Sequence, residues 1–556
     1  MLLAGGPGQS ATGVYTGGAL ARFSALRRSN DIVVFDQRGS GGSGLLRCRP
    51  LERANILRAG RAAAACAGSL GARRAFYTSR DTADDLEQIR LTLRAPKLSL
   101  YGVSYGTRTA TSYALRYPHR VERMVLDSVV EPDGADALSL ATFGAVPRVL
   151  RTLCARAACR SVTGDVVADT ARLVAKIAAG GGALGGRLVD RRGRARRAAF
   201  SRYDVFISLV AGDFQAELRR QFPTAVRSAL RGDADPMLRL VRHAGEQGGA
   251  VTPRELSDAL FTATTCEEAK LPWPRTEPFA TRGARTRAAV GLLAPSSLTP
   301  FDRDTVLRSD VLNLCSRWPA AAAAPVPGPG PLPDVSTLIV EGRDDLRTPI
   351  EAARAVAAKL PRATLVTVND AGHSPLDSAG GACVEGLVPS FFSGARLPRS
   401  CNADRPRRPA GPVPDSFAQV GGRGGVPGRA ARAVRLTIND LVDDLAFAAP
   451  DPADSTAGRG LRAGRYSLRE IDTVTLRGLS FVRGIRVTGR ITRVGSEGQR
   501  GRLQVSGPRG ARGVLTVRGA RLSGRLGGRV HAEHLTATVA RSRATASAAR
   551  QPSPFR

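Results

Sequence analysis

Lysine, histidine and aromatic residues are scarce in this chain, and each scarcity narrows its chemistry. Of 82 basic side chains among 556 residues, only Lys97, Lys176, Lys270 and Lys359 are lysine, so 78 are arginine. That skew, beside abundant Ala and Gly, reads as codon choice in a GC-rich genome before it reads as a surface selected for nucleic acid. Aromatic residues make up 5% of the chain, and no aromatic-rich module interleaves the arginines, which disfavours a nucleic-acid partner. No run of about 18 apolar residues is present, so no membrane-spanning helix is expected. The five histidines form no cluster and no cysteines stand in a CxxC pair, so neither a metal nor any cofactor is expected.

What is present is length, charge and cysteine. A chain of this length predicts two to four structural units. The net charge is +34, and it is uneven: residues 473–556 carry 17 Arg against Glu497 and Glu533, a local excess of +15. A solvated basic face is the simplest reading. The functional one is a basic C-terminal domain holding an anionic cell-envelope polymer. Eight cysteines (Cys48, Cys66, Cys154, Cys159, Cys266, Cys315, Cys383, Cys401) form an even, widely spaced set. They suggest disulfides and an oxidising compartment, extracellular or in the cell envelope, against the alternative of buried thiols in a cytosolic protein. Eight cysteines allow roughly a hundred pairings. Export calls for a signal peptide, yet Met1 leads straight into Leu2-Leu3-Ala4-Gly5-Gly6-Pro7 with no basic region and no full apolar segment. The reading is a start site set too far downstream.

Strand and helix signals alternate over the first 134 residues. Asp31–Asp36, Leu98–Gly102 and Val121–Asp127 are short apolar runs ended by turns, as buried parallel strands are. A helix is expected over Asp81–Arg94, capped by Asp81, with Leu86, Ile89 and Leu93 on one face. Residues 135–330 turn to amphipathic helices, the signature of a lid inserted into an α/β core. The Ala-, Pro- and Gly-rich run Pro319–Pro333 closes it. The core pattern resumes over 331–402. Residues 403–433 read as a linker, 434–545 as short strands of a β-sandwich or β-solenoid, and 546–556 as a disordered tail.

Gly102-Val103-Ser104-Tyr105-Gly106 is a G-x-S-x-G motif between a predicted strand and a predicted helix. A turn this tight needs glycine, and it lifts the Ser104 hydroxyl to a helix N-terminus that favours a developing oxyanion. Serine is a weak nucleophile without a base. His373, in Asp370-Ala371-Gly372-His373-Ser374 after a predicted strand, is placed to act as one. The base needs a carboxylate to set its tautomer. Asp344 and Asp345 both follow a strand, and Asp345 is the expected partner with Asp344 as its solvated neighbour. The order Ser, Asp, His is that of an α/β-hydrolase fold. The N–H groups of Tyr105 and Gly6 are the expected oxyanion donors.

With these parts assembled, residues 1–402 resemble the tripeptidyl aminopeptidase and prolyl aminopeptidase family of serine exopeptidases. The resemblance rests on Gly5-Gly6-Pro7-Gly8, Asp36-Gln37-Arg38-Gly39-Ser40-Gly41, Gly102 to Thr107, Asp345 to Pro349, Ala371-Gly372-His373, and Cys383 with Cys401. It implies an exported enzyme that removes residues or short peptides from the N-termini of peptide substrates. It also implies a Cys383–Cys401 disulfide, beside which Cys154–Cys159, Cys266–Cys315 and Cys48–Cys66 are the expected pairs. Such exopeptidases hold the substrate's free amine with lid carboxylates, and Glu267 and Glu268 occupy a comparable place; a solvated acidic helix end is the competing reading. Two rivals stand beside the aminopeptidase: an esterase or other acyl hydrolase with the same machinery, and an inert hydrolase-fold envelope-binding protein. The resemblance leaves the C-terminal region from 403 onward unexplained.

Overall fold

The computed structural model describes residues 1–54, 58–246, 251–319, 331–404, 408–447, 456–469, 473–493 and 498–535. The tail expected over 546–556 and most of the Pro319–Pro333 run lie outside these. The chain separates into two compact units: Met1–Thr152 with Ala250–Arg407, and Leu153–Gly249 with Arg408–Gln551.

The first unit is built on a six-stranded sheet: β1 (Leu2–Leu3), β2 (Leu98–Val103), β3 (Val121–Asp127), β4 (Ser336–Gly342), β5 (Ala363–Asn369) and β6 (Ser400–Asn402). The strands lie in that order and every pair is parallel. Successive side chains of a strand point to opposite faces. Leu98 and Leu100 accordingly pack on one side with Met124, Leu126 and Ile339, while Tyr101 and Val103 pack on the other with Val125, Leu338 and Val340. Both faces are covered, which is why these strands read as unbroken apolar runs instead of alternating ones.

Helix α1 (Ser79–Thr92) flanks the sheet. Its N-cap is Thr78, not Asp81: the Thr78 side chain accepts from the Asp81 N–H while Asp81 accepts from the Thr78 N–H, a reciprocal capping box. Leu86 is buried as expected, but Leu93 is 51% exposed because the helix has ended beneath it. Helix α2 (Tyr105–Arg116) follows β2 directly.

The insertion between β3 and β4 is divided, where one helical lid over 135–330 was expected. Residues 250–319, including helix α3 (Asp258–Glu268), stay with the parallel sheet, and residues 153–249 belong with the C-terminal region. That second unit joins helices such as Ala216–Leu230 and Asp235–Glu246, and a hairpin of Ala183–Val189 with Ala195–Ser201, to the C-terminal chain. The expected linker carries the start of helix α4 (Gly425–Phe447). Eight strands follow: β7 (Thr456–Arg459), β8 (Ala463–Arg469), β9 (Thr473–Ser480), β10 (Arg486–Arg493), β11 (Gln499–Ser506), β12 (Gly513–Arg518), β13 (Arg521–Leu526) and β14 (Arg529–His534). They form one antiparallel meander, neither sandwich nor solenoid. Its apolar face, with Val474, Leu476, Val487, Leu503, Leu515 and Leu526, is closed by Ala430, Val434, Ile438 and Leu441 of α4. A helix supplies the second layer that a sandwich would take from another sheet.

Buried ion pairs tie the halves of this unit together. Arg462, on the C-terminal chain, is bidentate to Asp233 and also bonded to Asp235. Arg239 reaches Asp440 at 2.6 Å, and His243 Nε2 lies 2.9 Å from Asp444, whose other oxygen accepts from the Tyr466 hydroxyl.

All four expected disulfides are formed, with Cα separations of 5.9 Å for Cys48–Cys66, 5.0 Å for Cys154–Cys159, 5.2 Å for Cys266–Cys315 and 5.8 Å for Cys383–Cys401.

Candidate active site

In a parallel sheet every C-terminal strand end lies along one edge, and side chains from distant segments converge there. Ser104 follows β2, Asp127 ends β3, Asp345 follows β4 and His373 follows β5.

Ser104 is the N-cap of α2 and adopts φ +54°, ψ −122°. A side chain in this sparsely populated region costs on the order of 1–3 kcal/mol and persists only when its surroundings enforce it. In this turn they do. The Ser104 N–H donates to the Asp127 carbonyl at 2.9 Å, and a Cβ on Gly102 would lie 2.5 Å from the Gly106 carbonyl oxygen. Only glycine lets the strand and the first turn of the helix approach so closely. The early loop packs against this turn: a Cβ on Gly5 would sit 3.2 Å from Ser104 Cβ. Gly6 follows at φ +109°. Gly5, from the loop after β1, and Tyr105, the first residue of α2, therefore flank the serine.

The loop after β1 is held from below by Asp36. Its carboxylate accepts from Ser10 Oγ at 2.9 Å, from the Thr12 N–H at 2.9 Å and hydroxyl at 2.8 Å, and from the Gly42 N–H at 2.7 Å. Burial alone would raise its pKa, but these donors hold it below the usual carboxylate range. Arg38 of the same motif clamps Asp85 on α1.

Asp345 and His373 are buried together, with Asp345 Oδ2 2.8 Å from His373 Nδ1. The other carboxylate oxygen accepts from the Arg347 and Thr348 N–H groups at 2.8 and 2.9 Å. Burial works against the Asp345 charge, yet His373 and these donors outweigh it and push the carboxyl far below its ordinary value. Thr348 carries no chemical signal of its own in the sequence, although it lies within Asp345 to Pro349. It contacts both partners: its hydroxyl is 2.8 Å from Asp345 Oδ2 and 3.2 Å from His373 Nδ1. The His373 loop is anchored by the Ser374 N–H to Ser128 Oγ at 2.7 Å and the Leu376 N–H to Asp127 at 3.2 Å. Asp344 is not the solvated neighbour expected; it is 4% exposed, its N–H bonded to the Ala371 carbonyl.

Two more carboxyls lie beneath this pair, and periodicity gave no sign of them. Glu341 on β4 is fully buried and accepts from the Val129 N–H at 3.1 Å, while Asp127 takes the Leu376 N–H. Burial first, and then the nearby Asp345 charge, raises Glu341 well above its ordinary value; burial likewise raises Asp127.

Residues 1–379 match the family described as the alpha/beta hydrolase fold. The chain belongs to that family. Among α/β-hydrolases it is similar to the tripeptidyl aminopeptidase of Streptomyces lividans, 28% identical over 443 residues that cover 70% of this chain and 73% of the relative. The tripeptidyl aminopeptidase of Streptomyces coelicolor is 28% identical over 423 residues, 67% of this chain and 69% of that one. A solved α/β hydrolase, MGS-M2 from a deep-sea metagenome library, aligns at 14% identity with a TM-score of 0.30, covering 71% of this chain and 90% of that one.

Glu267 and Glu268, expected to face a substrate ammonium, are already engaged. Both are buried at the end of α3. Glu268 Oε1 accepts twice from Ser79, from the N–H and the hydroxyl, each at 2.6 Å. Its Oε2 meets Arg108 Nε at 3.0 Å and the Tyr105 hydroxyl at 3.2 Å. Those four bonds fill the lone-pair directions of a carboxylate. Glu267 accepts from Trp318 Nε1 at 2.9 Å and lies 3.4 Å from Arg74. Neither is a solvated helix end: Glu268 is the counter-charge of a buried arginine, linked to the residue after Ser104 through the Tyr105 ring.

Proposed function

We propose that this α/β-hydrolase is a serine hydrolase acting at the N-terminal end of peptides through an acyl-enzyme on Ser104. The observation that carries the reading is the buried 2.8 Å contact between Asp345 Oδ2 and His373 Nδ1 on the strand edge that presents Ser104 in its strained turn. Ser104 Oγ attacks the scissile carbonyl while His373 Nε2 takes its proton. The C–N bond then breaks as His373 returns that proton to the leaving amine. Water, deprotonated by the same imidazole, releases the acyl group. Asp345 keeps the Nδ1 proton in place and stabilises the imidazolium. The N–H groups of Gly6 and Tyr105 receive the oxyanion, where one such donor is worth roughly 3–4 kcal/mol.

Action on N-termini is supported by the similarity to tripeptidyl aminopeptidases over about two thirds of both chains. The four disulfides support an extracellular site of action. One observation favours the second reading, an acyl hydrolase without amine recognition: Glu268 is saturated by Ser79, Arg108 and Tyr105. Chromogenic tripeptide substrates with free and acetylated N-termini separate the two. Preference for the free amine supports the aminopeptidase; equal turnover supports the second reading and removes the first.

A further inference from the structure

The outward face of the β7–β14 sheet carries arginines in an arrangement that opposes its own stability. Strand register places Arg465 directly opposite Arg477, Arg490 opposite Arg502, Arg500 opposite Arg518, and Arg518 opposite Arg521. Like charges directly opposite one another on neighbouring strands are destabilising. All seven side chains are exposed. Among the described residues, the cross-strand rows of this face contain no carboxylate. Glu533, which could relieve them, sits in the row of Val474, Ile491 and Leu522 on the other face and pairs with Arg435 of α4 at 2.9 Å. The contrast lies within one unit: the buried Arg239 and Arg462 are matched to aspartates, whereas this face concentrates one sign.

We infer that this face is a docking surface for a linear phosphate-bearing polyanion, held by guanidinium groups set one or two to a strand across β8–β13. Neighbouring strands are spaced about 4.8 Å apart, so Arg500, Arg518 and Arg521 offer three cations at roughly that interval along one row crossing the sheet, with Arg490 and Arg502 as a pair in the adjacent row. A polymer with closely repeated phosphates fits such a line, and guanidinium groups bind phosphate in a planar, bidentate way. Hydroxyls of Thr475, Thr516 and Ser523 lie in the same cross-strand row as Arg490 and Arg502 and add neutral donors. The rows of this face carry no aromatic ring other than that of His534, at the sheet edge, so base stacking does not draw it to single-stranded nucleic acid. They also lack the Leu, Phe or Trp side chains that a membrane-inserting surface presents. The inference stands independently of the hydrolase reading.

The test uses the full chain with long-chain inorganic polyphosphate as probe, followed by fluorescence anisotropy across a salt series. The variant Arg490→Gln/Arg502→Gln/Arg521→Gln is compared with a control of equal charge change, Arg27→Gln/Arg120→Gln/Arg399→Gln, on exposed arginines of the other unit. The face variant should bind at least ten-fold more weakly and show a shallower salt dependence, by roughly one power of salt per lost contact. The control should stay within about two-fold of the parent. Because the substitutions remove like-charge opposition, the thermal midpoint of the face variant should equal or exceed that of the parent. Replacement of the same three residues by lysine keeps the charge but not the planar fork, and should recover only part of the binding. Equal weakening in both variants would reduce the effect to diffuse charge and overturn the inference. So would salt-independent binding, or capture by phosphatidylglycerol vesicles without capture by polyphosphate.

Discussion

Thr348 is the residue whose role the geometry defines and the motif did not. Its hydroxyl touches both Asp345 and His373, so Thr348→Val leaves a buried carboxylate oxygen short of a donor and frees the imidazole to tilt. A missing bond of this kind costs about 1–3 kcal/mol, so kcat should fall ten-fold or more with little change in KM for a small ester. Asp345→Asn should lower kcat by about four orders of magnitude, because the amide stabilises the wrong tautomer. The same substitution has a pH signature. The carboxyl of Asp345 is depressed on folding, so its ionised form adds stability above the ordinary carboxylate pKa of about 3.9, and that stability is lost as pH falls. Denaturation midpoints of parent and Asp345→Asn should therefore begin to converge as pH falls below about 4 and meet only once the depressed folded carboxyl is protonated. Glu341 is shifted the opposite way: burial and the nearby Asp345 charge favour its protonated form, so Glu341→Gln should keep activity within a few-fold, and a pronounced loss would show that its ionised form is needed. Ser104, Asp345 and His373 were legible because each stands in a short motif at the end of a recognisable strand. The burial of Asp344 and the saturation of Glu268 were not, because their partners lie far away in sequence.

At the scale of elements, the turn between β2 and α2 is the most constrained piece of backbone. Gly102→Ala places a Cβ 2.5 Å from the Gly106 carbonyl, in rigid backbone on both sides. The expected outcome is loss of activity together with a lower thermal midpoint. Wild-type turnover by a folded Gly102→Ala chain would contradict so close an approach of strand and helix. Strands β2 and β3 were readable from their apolar runs, but Asp31–Asp36, read the same way, makes only the single parallel bridge of Val34 to Leu2. Helix α4 was not readable. Its first turn, Gly425-Val426-Pro427-Gly428, carries the residues that mark loops, and its helical character comes from burial of Ala430, Val434 and Ile438 against the sheet. The same dependence on tertiary burial explains why a sandwich or solenoid was expected where a helix closes the meander.

At the scale of the molecule, part of the insertion, Leu153–Gly249, and the C-terminal chain share one unit, which composition along the sequence could not reveal. The bonds that join them are long-range: Arg462 to Asp233 and Asp235, Arg239 to Asp440, and His243 to Asp444. Removing one member of a buried pair costs about 3–5 kcal/mol, since the other charge stays buried alone. Truncation after residue 407 strips all of these partners at once. Residues 153–249 should then lose hydrogen-exchange protection, while an intact chain protects them together with α4; unchanged protection in the truncated chain would show the pieces to be independent. Ser104 stands at the centre of the proposed chemistry, and covalent labelling tests its role most directly. The full chain treated with a fluorophosphonate and digested should yield a single modified peptide with the adduct on Ser104, and the Ser104→Ala chain should yield none. Absence of labelling in the folded parent, or labelling that survives Ser104→Ala, would contradict a nucleophilic Ser104.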